Sequence, residues 1–110
     1  MSEKVIFAGF ANNDLVEFKY NNDPWDSTLS SIELVAHDRN GMFKSFKFEG
    51  VSNLEIEEGF NGYLGGTAIV DISERQWAHA QIEVHNYESD SGISFLAMSV
   101  SVGEVSEAYT

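Results

Sequence analysis

The sequence predicts an all-β protein, an antiparallel β-sandwich or partly open barrel of about eight strands. Three observations carry this expectation. Apolar residues recur with period two in short runs, not with the period of about 3.6 that a helix needs. Clusters of turn-forming residues separate the runs at roughly ten-residue spacing. At most one short helix is signalled, near residues 73–79. The 110 residues suit a single domain, 1–110, because one core commonly serves chains of about 100–150 residues. Residues 103–110 are expected to fray as a tail.

Each element follows from local chemistry. Residues 5–10, rich in β-formers, make the first strand, and Asn12-Asn13-Asp14 ends it. Residues 15–20 alternate, with Val16, Phe18 and Tyr20 opposite Glu17 and Lys19, before Asn21-Asn22-Asp23-Pro24 breaks the chain. Residues 31–37 set Ile32, Leu34 and Ala36 on one face. Asn40-Gly41 is the strongest hairpin signal, since both residues tolerate the positive φ of a type I′ turn. The return strand, 42–51, carries Phe43, Phe46 and Phe48, and its slipped alternation points to a bulge. Leu54 and Ile56 alternate with Glu55 and Glu57, and residues 58–66 read as a loop. Residues 67–72 put Ala68, Val70 and Ile72 on one face.

Ser73 with Gln76 three residues later resembles a capping box, so 73–76 begins either a short helix or a wide hairpin loop. Residues 77–85 alternate as a strand, with Ala78, Ala80, Ile82 and Val84 opposite Trp77, His79, Gln81, Glu83 and His85. After a polar loop, residues 93–102 form the last strand with Leu96, Met98, Val100 and Val102 inward. The expected core comprises Phe46, Phe48, Leu54, Ile56, Val70, Ile82, Val84, Leu96 and Val100.

Eighteen acids against six bases give a net charge of −12. Such a charge opposes direct binding to nucleic acid or anionic membranes and favours a basic partner. The charge is uneven: residues 1–52 hold five bases and eight acids, residues 53–110 one base and ten acids. If the later strands are neighbours, their outward acids form one negative surface. That surface either keeps the protein soluble or steers a basic partner toward it. The expected partner-binding residues are Glu55, Glu57, Glu58, Glu74, Trp77, Glu83, Tyr87, Glu88 and Asp90, where Trp and Tyr supply the anchors that interfaces favour. Trp77 is otherwise read as half-buried over a sheet edge.

Absent motifs narrow the function further. With no cysteine there is no thiolate zinc site, thiol nucleophile or iron–sulfur cluster. His79 and His85 on a regular strand would stand about 20 Å apart, too far to share an ion. Residues 88–92 lack the register of a calcium loop. No serine lies in a nucleophile elbow and no glycine-rich loop fits a phosphate. The expectation is therefore no enzyme, no catalytic residue, no metal and no cofactor. The early apolar run at 5–10 is too short for a signal peptide or a membrane span, which suggests a cytoplasmic protein.

The order of features from Trp25 onward resembles small β-rich bacterial immunity proteins of polymorphic toxin and contact-dependent growth inhibition systems. Trp25 and Asp26 followed by the strand at 31–34 resemble their tryptophan–acid opening. Residues 46–56, with Phe48, Gly50, Val51 and Leu54, resemble their phenylalanine–glycine–valine–x–x–leucine segment. Phe60-Asn61 fits the phenylalanine–asparagine that follows, and residues 92–102 look like their last strand. The resemblance implies a cytoplasmic antitoxin, a toxin inhibitor whose partner is a basic toxin domain, commonly a nuclease. Alternative readings are a phage-type acidic nuclease inhibitor and a carbohydrate- or peptide-binding sandwich with Trp25, Trp77 and Tyr63 as stacking groups.

Overall fold

The computed structural model describes residues 4–38, 41–78, 80–88 and 92–106. Among them run β1 (Lys4–Phe7), β2 (Asn13–Asn21), β3 (Ser31–Asp38), β4 (Phe43–Glu49), β5 (Ser52–Ile56), β6 (Thr67–Asp71), β7 (Ile82–Asn86), β8 (Ile93–Ala97) and β9 (Ser99–Ser106). Two short 3-10 turns, Ser27–Leu29 and Ser73–Arg75, complete the regular structure. A five-stranded sheet has the order β1-β6-β7-β8-β5, and a four-stranded sheet the order β2-β3-β4-β9. Every neighbouring pair is antiparallel, and neither sheet closes on itself. The architecture is an open β-sandwich.

Alternation explains how the two sheets meet. Ile32, Leu34 and Ala36 of β3 with Phe46 and Phe48 of β4 face inward from the smaller sheet. Ile69, Ile82, Val84, Ile93, Phe95 and Ala97 answer from the larger one. The rings of Phe48 and Phe95 meet edge to face, with centroids 4.8 Å apart. Phe7, Phe10 and Phe46 form a second aromatic group where β1 leaves the edge of its sheet.

Where the strands differ from expectation, the cause is local. The slip near Phe43 is not a bulge in β4, which pairs with β3 without interruption. Lys44 instead takes the inward place at the end of the strand, 4.7 Å over the Phe7 ring, while Phe43 turns outward against His37. The register shift lies between β4 and β9. A second shift, in β2, leaves Val16 exposed while Leu15 and Phe18 pack on the core. The hairpin after β3 turns as expected. Gly41 has a φ of 96° and its N–H donates to the Asp38 carbonyl; Arg39 and Asn40 lie outside the described residues.

The last strand is in fact two. The chain crosses between the sheets at Met98, which is exposed, so Phe95 and Ala97 enter the main core and Leu96 faces the other way. Gly50 makes the parallel crossing possible: its φ is 67°, and a Cβ there would stand 2.4 Å from Met98 Cγ. Val102 is exposed, and β9 continues through Ser106, so residues 103–106 are not a tail; residues 107–110 lie outside the described set. Ile56 is 53% exposed, because β5 is an edge strand that ends beyond the reach of the opposite sheet. The segment at 77–85 is strand only from Ile82. Before that, the segment 72–78 and Ala80 lie on the outer face of the larger sheet, where Ile72 and Ala80 pack with Ala68, Val70 and Leu96 in a second small core.

Connectivity sorts the loops between the two ends of the sandwich. The β2–β3, β4–β5 and β6–β7 connections and the Met98 crossing share one end. Backbone bonds link them in sequence: Val51 N to Ser30 O, Met98 N to Glu49 O, and Gln81 N to Ala97 O. Both tryptophans therefore lie in loops at this end, while the β5–β6 and β7–β8 connections lie at the other.

Candidate acidic docking face

The outer face of the larger sheet gathers part of the expected site. Glu55 of β5 pairs with Ser94 of β8, and Glu83 of β7 pairs with Leu96 of β8 and Val70 of β6. Trp77 reaches this face from the covering segment. Glu55, Trp77 and Glu83 together line a shallow groove of about 390 Å³, floored by Ser94 and Leu96. A neighbouring hollow of about 250 Å³ is lined by Glu55, Glu57 and His85.

Trp77 and Glu83 meet because the chain is not extended between them. Six residues of strand would separate them by about 20 Å. The 3-10 turn Ser73–Arg75, ended by Gln76 in the left-handed region, folds the segment back instead. Arg75 then bridges the two: its guanidinium lies 5.0 Å over the Trp77 ring and 3.3 Å from Glu83 Oε1. The Tyr87 hydroxyl donates to the same oxygen at 3.1 Å, and the Tyr87 ring stands edge-on to His85. Glu83 is thus engaged within the protein, and its charge is balanced by the one base of the second half.

The other expected residues are dispersed. Glu55, Glu57 and Glu58 are exposed along the β5 edge and the turn after it, with no ion-pair partner among the described residues. Glu74 is exposed on the 3-10 turn. Glu88 lies at the far end of the sandwich, roughly 13 Å along β7 from the Trp77 segment. Asp90 and His79 lie outside the described residues. Asp71 is half-buried; the Ser73 hydroxyl and N–H hold its carboxyl below the usual range. Among the described expected residues, Trp77, Glu83 and Tyr87 are thus joined through Arg75, while Glu88 lies at the other end of β7.

Arg75 was the residue that sequence reasoning missed. Its signal was its isolation, the single cation among ten acids, next to an aromatic. The smaller sheet, by contrast, pairs part of its charge across strands. Lys19, Glu33 and Lys47 align across β2, β3 and β4 as a ladder of opposite charges. Both sheets still carry a net negative charge: the strands of the smaller one hold six acids and three bases, those of the larger one three acids and one base. Among the described residues no three His, Asp or Glu side chains converge to hold a metal ion, and no helix is long and apolar enough to cross a membrane. No family model, no curated protein and no solved structure matches the chain.

Proposed function

We propose that this protein is a cytoplasmic immunity protein that binds and neutralises a cognate basic toxin domain, a nuclease, through the outer face of its larger sheet. The observation that supports the reading is Trp77, 40% exposed beside Glu55 in a groove next to uncompensated acids. An exposed aromatic amid like charges is the composition of an interface anchor rather than of a purely solvating surface. The acids of β5 attract the lysines and arginines that a nuclease uses to hold phosphates. Trp77, stacked on Arg75, offers an apolar contact beside Glu55. Inhibition then needs no chemistry from this chain: it occupies, with carboxylates, the charge field that substrate phosphates would occupy.

The test is co-expression with the protein encoded immediately upstream, followed by co-purification and a nuclease assay of the released partner. The reading expects a basic C-terminal domain that copurifies and regains activity when separated. A partner of host origin, with no encoded toxin, would favour the phage-type inhibitor. A well-folded protein that binds no basic domain contradicts both.

A further inference from the structure

Trp25 is the most exposed large apolar side chain described, at 91%. It lies in the β2–β3 loop, at the same end of the sandwich as Trp77, and does not line the groove that Trp77 lines. The loop is held by its own aspartates. Asp23 Oδ1 accepts from the N–H groups of Trp25 and Asp26, each at 2.9 Å. Asp26 Oδ1 accepts from the Thr28 hydroxyl at 2.6 Å and the Thr28 N–H at 3.0 Å, which keeps its carboxyl below the usual range. Asp23 N–H in turn donates to the buried Ser30 hydroxyl. An indole on a fixed loop between two carboxylates carries little ordering cost when a partner arrives.

The same three groups occur elsewhere in this chain with their third member present. At Trp77 the indole, a carboxylate and a guanidinium form one unit, with Arg75 5.0 Å over the ring and 3.3 Å from Glu83. At Trp25 the indole is exposed, the Asp23 and Asp26 carboxylates hold the backbone around it, and no described residue brings a cation to them. We infer that the Trp25 loop is a docking site for an arginine side chain of a protein partner, its guanidinium stacked on the indole and its charge facing Asp23 and Asp26. Charge selects this occupant. A second copy of the chain brings another −12, and an anionic lipid surface is repelled in the same way. A neutral sugar draws nothing from the charge of the two carboxylates beside Trp25 in the chain. Arginine favours the flat face of Trp over other aromatics, and its contact is strengthened by nearby carboxylates.

The inference stands apart from the toxin's identity and from the Trp77 groove, and its test needs neither. The two indole N–H resonances of nitrogen-labelled protein are assigned with Trp25→Phe. The protein is then titrated with an arginine-rich peptide, the same peptide with citrulline for arginine, a neutral oligosaccharide, and phosphatidylcholine vesicles. The Trp25 resonance should move with the arginine peptide, less so as salt rises, and stay in place with the other three. Trp25→Ala should weaken the peptide by about two- to fivefold, the size of an exposed cation–indole contact. Trp25→Phe should retain part of the affinity. Equal shifts with arginine and citrulline, or movement only with sugar or vesicles, overturn the inference. So does a response confined to Trp77, which would leave the groove as the arginine site.

Discussion

The contact between Phe48 and Phe95 joins the two sheets, and its removal has a calculable cost. Phe48 is fully buried and Phe95 is 2% exposed. Their rings meet at 4.8 Å with an interplanar angle of 84°. A phenylalanine buries about 150–250 Å², or about 4–6 kcal/mol at 25 cal/mol per Å², an upper bound because unfolded chains already bury some surface. Alanine keeps the Cβ but leaves a cavity, so Phe48→Ala should cost about 3–5 kcal/mol. That is a large part of the stability of a domain this size. Gentler variants isolate the contact itself. Phe48→Leu, Phe95→Leu and the double variant, compared by urea unfolding followed through tryptophan fluorescence, form a cycle. Edge-to-face pairs are worth about 0.5–1.5 kcal/mol beyond area, so the double variant should be more stable than the sum of the single losses by that amount. An alanine cost under about 1 kcal/mol, or strictly additive leucine variants, would show that these rings do not meet across the sandwich.

Three further outcomes follow from the same structure. Ile56→Ser should change stability by no more than about 0.5 kcal/mol, because the side chain is mostly solvated; a core-sized loss in urea would place it inside. Arg75→Gln removes the ion pair with Glu83, whose side chains are 29% and 23% exposed, and the stack on Trp77. It should cost about 0.5–1.5 kcal/mol, less in high salt, and an unchanged unfolding midpoint at low salt would contradict the contact. Asp26 and Asp71 both have carboxyls depressed in the folded state by neighbouring hydroxyl and N–H donors. Their contribution is present above the unfolded value near 3.8 and is lost as pH falls through the folded value. Asp26→Asn and Asp71→Asn should therefore flatten the acid limb of the stability profile; an unaltered limb would argue against those hydrogen bonds.

The fold was legible in the sequence because strand period and turn chemistry are local. Ile32, Leu34 and Ala36, and again Ile82 and Val84, show their inward face in the bare alternation. Alternation does not say which sheet a strand joins. Residues 93–102 read as one strand because the crossing at Met98 keeps the pattern of small and apolar residues. Nor does alternation distinguish the sandwich core from a second layer: Ala68, Val70 and Leu96 are buried with Ile72 and Ala80 and not by the opposite sheet. The candidate site was legible as composition and not as geometry. The acids and Trp77 stood out, but a left-handed Gln76 and a 3-10 turn, which bring Arg75 onto Trp77 and Glu83, leave no periodic trace. Trp25 reads in the sequence as a stacking group of the carbohydrate- or peptide-binding alternative, but sequence alone does not separate an exposed anchor from a buried aromatic.

The central claim is that uncompensated acids on the β5 edge draw a basic partner to the Trp77 face. Its most direct test is the association rate of the upstream-encoded basic domain with wild type and with the triple variant Glu55→Lys, Glu57→Lys, Glu58→Lys, measured across a range of salt. All three side chains are exposed, so the variant should fold. The account predicts a fall of at least about tenfold at low salt, closing as salt rises and screening shortens the field. Equal rates and equal salt slopes for the two proteins would contradict it.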